Sequence, residues 1–210
     1  MDQANRTSST WVILALALLV AGAYTGFRGL TGQGFGGDDL GCELTELPGD
    51  GDIVPVRATC SWEISPERLH EMLAEFDAHD DYFAGLAEST VLGADQGSVR
   101  VRQVHTASGI SDRAAVVDWT VTEVEGGVRY AWNKSEDQSG IEGHGLEAIE
   151  CAGSWEVVED GDGTRVIYEM RYAPGGNVPF FLMRWFQGAG IRGVLADFRN
   201  SAELEVVASR

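Results

Sequence analysis

Gly153-Ser-Trp-Glu-Val-Val-Glu-Asp-Gly-Asp-Gly-Thr-Arg-Val-Ile-Tyr168 decides the fold class. Gly153, Trp155 and Val157 alternate with Ser154 and Glu156, Asp160-Gly-Asp-Gly163 is a turn signal, and Val166 and Tyr168 resume the alternation beyond it. A period of two on either side of a Gly-rich turn predicts a β-hairpin with one face buried. Outward from this hairpin the pattern recurs. Extended segments are predicted at Thr90–Leu92, Val99–Thr106, Arg113–Val124, Val128–Asn133, Leu146–Val158 and Thr164–Tyr172. Between them lie the turn signals Asp95-Gln-Gly97, Ser108-Gly109, Glu125-Gly-Gly127 and Ser139-Gly140. This is a meander of about six strands. Alternation gives the last five a more apolar face: Val99, Val101, Gln103 and His105; Arg113, Ala115, Val117, Trp119 and Val121; Val128, Tyr130 and Trp132; Ile149, Cys151, Gly153, Trp155 and Val157; Val166, Tyr168, Met170 and Tyr172.

A further strand precedes the meander. From Ile53 onward Val54, Val56, Ala58, Cys60, Trp62 and Ile64 share one face. Ser65-Pro66-Glu67 then reads as an N-cap, a proline at the first helical position and acid in the first turn. Leu69, Met72, Leu73 and Phe76 follow at helical spacing, and His79–Leu86 reads as a second short helix or turn. After Pro174-Gly175-Gly176 the chain turns helical again, from Phe180 to Leu204. Its second half carries an apolar stripe of Ile191, Val194, Leu195, Phe198 and Ala202.

At the other end, Trp11–Phe27 holds no charged residue and is bounded by Arg6 and Arg28, a length at the lower edge of what spans a bilayer. Two fates are open to it. Ala21-Gly22-Ala23 has the small-x-small pattern of a cleavage site after Ala23, whereas an uncut helix stays as an anchor. In either case the charge distribution, Arg6 before the segment and Asp38 and Asp39 after it, leaves the domain outside the cytoplasm. The organisation expected is a signal peptide or membrane anchor over 1–28, a Gly- and acid-rich linker over 29–52 and one folded domain over 53–208.

The formal charge is −18, from 15 basic and 33 acidic residues, and no basic stripe offsets it, so nucleic acid is excluded as a partner. Cys42, Cys60 and Cys151 are too few and too dispersed for a thiolate metal site. They allow one disulfide of unspecified pairing or a fully reduced set. His70, His79, His105 and His144 stand singly, so no metal site is expected. No nucleophile elbow, phosphate loop or dinucleotide fingerprint is present, and nothing calls for a cofactor.

Several stretches together resemble the START/Bet v 1-like (SRPBCC) superfamily, in its polyketide cyclase and coenzyme Q-binding branches. They are Val54-Pro-Val56 leading to Ser65-Pro-Glu67, the Gly153-Ser-Trp155 to Asp162-Gly-Thr164 succession, and Val178-Pro179 opening the last helix. The resemblance covers about Ile53–Val206. It implies an α+β helix-grip fold, in which a curved antiparallel sheet of about seven strands wraps a long C-terminal helix around an apolar cavity. It also implies a ligand, an apolar small molecule or lipid. Because fold alone does not fix function, pocket positions are carried over only by strand and face. They are His105, Arg113, Val117, Trp119, Tyr130, Trp132, Trp155, Tyr168 and Met170 on the sheet, with Phe186, Leu195 and Phe198 on the helix.

Large aromatics on that face either fill a core or line a cavity. His105 and Arg113 fall in the apolar register, across the Ser108-Gly109 turn from each other. They suit the anchoring of a carbonyl or carboxylate at a cavity mouth, or else sit at frayed, solvated strand ends. The leading expectation is therefore a binding module tethered beside a membrane. A cyclase or dehydratase using His105 or Tyr130 as acid or base comes second, and an interaction domain with a filled core third.

Overall fold

The Gly153–Tyr168 hairpin forms as its alternation requires. β8 (Glu150–Asp160) and β9 (Gly163–Ala173) pair antiparallel along their whole length, Tyr168 opposite Trp155. The computed structural model describes residues 40–49, 53–107, 110–176, 178 and 190–208. The Trp11–Phe27 segment, the linker before residue 40 and Phe186 lie outside the described residues. Among the described residues no helix is long and apolar enough to cross a membrane.

Around the hairpin the chain runs β1 (Cys42–Glu46), β2 (Val56–Trp62), α1 (Pro66–Ala74), α2 (His79–Tyr82), β3 (Leu86–Asp95), β4 (Ser98–His105), β5 (Arg113–Val124), β6 (Gly127–Lys134), β7 (Leu146–Glu147), β8, β9 and α3 (Ile191–Ala208). The sheet order is β1-β2-β9-β8-β6-β5-β4-β3, so the meander is closed off by β2 and β1 beside β9. α1 starts where its signals place it, with Ser65 Oγ accepting from the Arg68 N–H at 3.4 Å, and it buries Leu69, Met72 and Leu73. The sheet's inner face packs against α3 through Phe198, fully buried, whose ring lies 4.7 Å from Trp155, 5.4 Å from Phe83 and 6.1 Å from Trp62. Asp197 ties α3 back to the strand side by accepting from the Ala84 N–H at 3.2 Å.

The sheet has nine strands, not about seven. One addition is β1, inside the stretch read as linker. It is a short edge strand in which half-buried Cys42 and Leu44 alternate with exposed Glu43, Thr45 and Glu46, a rhythm of only two apolar residues; such charge is how edges avoid further pairing. A disulfide between the directly opposed Cys42 and Cys60 fastens it to β2, leaving Cys151 a free, buried thiol. The other addition comes from the stretch Leu146–Val158, which breaks at Ala148–Ile149. β7 pairs parallel with β5, whereas β8 pairs antiparallel with β6 and β9.

That break positions the start of β5. β6 ends opposite Val117, and beyond it the Gln138 amide takes over: its Oε1 accepts from Val116 N–H at 2.9 Å and its Nε2 donates to Val116 C=O at 2.8 Å. β7 then covers Arg113 and Ala114. Arg113 is thereby held from both sides, by His105 of β4 and Leu146 of β7.

Candidate functional site

Two adjoining cavities lie between the inner face of the sheet and the first turns of α3. The larger, about 160 Å³, is bounded by Met170 and Tyr172 of β9, Ile191 and Val194 of α3, His105 and Arg113. The smaller, about 90 Å³, is walled by Trp119, Trp132, Trp155 and Tyr168, with His79 and Gln103. Gly85, His105, Met170 and Val194 border both, so these residues form the partition between them. A mostly apolar cleft or cavity with a few convergent polar groups is the ordinary form of a small-molecule site.

The aromatic end follows from cross-strand register. Trp119 opposes Trp132, with ring centroids 4.7 Å apart, and Trp155 opposes Tyr168 at 4.2 Å. Trp132 in turn opposes Gly153, where a Cβ would lie 2.5 Å from the indole Cζ2 and closer still to the Glu169 carbonyl; glycine makes room for that ring. The polar groups here are poorly supplied. Trp119 Nε1 is buried without an acceptor, and the Gln103 side chain, 4% exposed, makes no hydrogen bond among the described residues. Tyr168 donates to Met170 Sδ at 2.9 Å.

At the other end Arg113 is only 5% exposed. Its Nη1 donates to the carbonyls of Ser111 and Asp112, its Nη2 to the Gly175 carbonyl at 3.4 Å, and its Nε has no acceptor. His105 packs its ring 5.1 Å from that of Tyr172, and its Nε2 stands 3.8 Å from Cys151 Sγ. Desolvation lowers the His105 pKa to about 4 and raises the Cys151 thiol to about 12. Both partners are thus neutral near pH 7, and the pair is no thiolate–imidazolium nucleophile. Burial likewise holds His79 at about 4 and pushes the hydroxyls of Tyr168 and Tyr172 up.

Of the residues expected from the sequence, His105, Arg113 and Met170 border the larger cavity, and His105, Met170, Trp119, Trp132, Trp155 and Tyr168 the smaller. Val117, Leu195 and Phe198 are fully buried in the core and border neither. Tyr130 is not among the residues bordering either cavity; its hydroxyl lies 3.3 Å from His70 Nδ1 beneath α1. Gln103 and Val194 were visible in the patterning but carried no signal for a site beyond their face; His79 and Gly85 carried none. Among the described residues no group of three or more His, Cys, Asp or Glu is placed to hold a metal.

Comparison with known proteins agrees with this architecture. Residues 54–203 match the family described as Polyketide cyclase / dehydrase and lipid transport. Curated proteins give no match. Among solved structures, the STAR-related lipid transfer protein of Xanthomonas axonopodis superposes with a TM-score of 0.70 at 20% identity, over 79% of this chain and 96% of that one. Human StAR-related lipid transfer protein 5 superposes at 0.64 with 11% identity, over 91% and 96%. A Streptomyces aromatase/cyclase, Zhui, superposes at 0.50 with 16% identity, over 73% and 96%. At these identities the likeness is one of fold.

Proposed function

The chain belongs to the polyketide cyclase/dehydrase and lipid transport family, and from that premise we propose that it holds a small apolar molecule in the two cavities between sheet and α3. The observation that carries this is the cavity pair itself: a mostly apolar space of about 160 Å³ beside one of about 90 Å³, the smaller bordered by the five aromatic rings of Phe83, Trp119, Trp132, Trp155 and Tyr168. A core evolved only for stability is packed with few voids larger than a water. The size also limits the guest. An engineered cavity of about 150 Å³ takes a benzene, so the pair suits a one-ring body or a chain of about eight carbons, not a whole phospholipid.

Binding rather than catalysis is the better reading of the polar groups. A general acid or base works best with a pKa near the operating pH, and the two imidazoles bordering the cavities are held at about 4. The test is native mass spectrometry of the full-length chain from its own cells, with extraction and identification of what it carries. One apolar molecule per chain supports the proposal. An empty chain whose tryptophan fluorescence ignores short apolar alcohols and acids overturns it.

The same proposal places the domain outside the cytoplasm, tethered or released by the Trp11–Phe27 segment. Its support is the charge-free apolar run and the Cys42–Cys60 disulfide, a bond that persists in oxidising compartments. Thiol labelling of the chain in intact cells tests it: blocked Cys42 and Cys60 agree with export, and free thiols at both refute it.

A further inference from the structure

Arg113 is the one formally charged side chain among the described residues that border either cavity. A guanidinium stays protonated in proteins, and burying a cation without a partner costs several kcal/mol. The usual remedy is a carboxylate, yet Arg113 forms no ion pair among the described residues. Its protein acceptors are three backbone carbonyls, two of them at 3.4 Å, and its Nε–H has none. Of the five N–H groups a guanidinium carries, the Nε–H and one on Nη2 therefore have no acceptor among the described residues. The side chain is not a loose surface arginine turned inward, because its backbone is locked between β4 and β7.

Resting on the binding function proposed above, we infer that the occupant is a small monoanionic amphiphile: a carboxylate received by Arg113, with an apolar body lying toward Trp119, Trp132 and Trp155. A single cation in an otherwise uncharged chamber balances a single negative charge. A phosphate monoester carries close to two near pH 7 and would leave one buried and unmatched. Arginine offers a fork that a carboxylate fills with two parallel N–H···O bonds, among the strongest neutral-pH contacts available to a buried ligand. A neutral alcohol supplies one oxygen and no charge. A cationic amphiphile meets a like charge.

The experiment titrates the purified full-length chain near pH 7 with octanoate, octan-1-ol, octyl phosphate and octylammonium, following tryptophan fluorescence and heat. Octanoate is expected to bind at least tenfold more tightly than the alcohol and the phosphate, and octylammonium not at all. Arg113→Gln is expected to erase the preference for octanoate while leaving octanol affinity within about twofold, a split that simple damage to the fold does not produce. Should that variant fail to fold, the headgroup series on the unaltered chain decides alone. Equal affinity for octanoate and octanol overturns the anionic assignment yet leaves the binding function intact. Tighter binding of octyl phosphate overturns the monoanion assignment. Failure of all four to bind overturns the binding function and this inference with it.

Discussion

Replacing His79 by Gln removes a proton site that folding suppresses. His79 is 1% exposed, its ring set edge-on among those of Phe76, Phe83 and Trp119 at 5.6, 5.7 and 5.3 Å, with Nε2 3.2 Å from the Leu73 carbonyl. Desolvation lowers its pKa from 6.5 to about 4, outweighing the upward pull of the Leu73 bond and of Asp77 and Glu75. As pH falls through 6.5 the unfolded chain takes up a proton that the folded chain refuses until about 4. In that window the unfolded state binds more protons, so stability falls with pH. At about 1.4 kcal/mol per pH unit, the step from about pH 7 to about pH 4.5 costs about 2 kcal/mol at this one site. Gln keeps a donor for the Leu73 carbonyl and never charges. Urea unfolding of both proteins at the two pH values is the assay. His105 and the carboxylates titrate alike in each and cancel. The unaltered chain should lose about 2 kcal/mol more than His79→Gln over the step; equal losses would refute the argument that burial keeps this imidazole neutral.

Phe198→Ala, which deletes the ring joining α3 to Trp155, Phe83 and Trp62, should cost about 3–5 kcal/mol of unfolding free energy; a loss below about 1 kcal/mol would show that α3 is not anchored there. Reducing the Cys42–Cys60 bond, which closes a loop of 18 residues, should lower stability by about 3 kcal/mol in the same assay, and no change would mean that β1 is held by pairing alone. Val194→Phe puts a ring into the space shared by both cavities. It should abolish the fluorescence response to octanoate and destabilise by about 1–3 kcal/mol, as inserted bulk does, and an undiminished response would place the ligand elsewhere. Gly153→Ala forces Trp132 and the Glu169 carbonyl aside and should destabilise by about 1–3 kcal/mol, measured as a shift in urea midpoint.

What was legible in the sequence follows from what a period of two can encode. It assigns faces, and the assignment holds along Val101 and Gln103, along Ala115, Val117 and Trp119, along Tyr130 and Trp132, and along Val166 and Tyr168, all buried. It fails at Val121, 47% exposed, because β5 runs on past the core after Trp119, where every residue through Glu123 is exposed. It fails at Ile149, 66% exposed, because the chain there changes pairing partner and drops out of alternation. β1 was invisible for the converse reason. Its alternation is confined to Cys42 and Leu44 between Glu43, Thr45 and Glu46, too short to stand out from the acidic stretch around it, and the Cys42–Cys60 bond and the ladder to β2 supply the rest.

The site was legible only as a face. Whether an aromatic fills or lines depends on what stands opposite it across the layer, and that distance is not written along the strand. Phe198 fills the space above Trp155 and Trp62, whereas no comparable side chain among the described residues stands over Met170 and Arg113, where α3 presents Ile191 and Val194. Helical spacing puts Ile191, Val194, Leu195 and Phe198 on one stripe. The size gradient along that stripe, branched aliphatics at the start and a ring two turns on, therefore decides that the cavity lies at the end of the sheet where Arg113 sits. Among the described residues the buried cation and the cavity then share one neighbour, the start of α3, which offers only Ile191 and Val194 there. A larger side chain at Val194 would at once close the cavity and strand the guanidinium without access to any acceptor beyond the backbone.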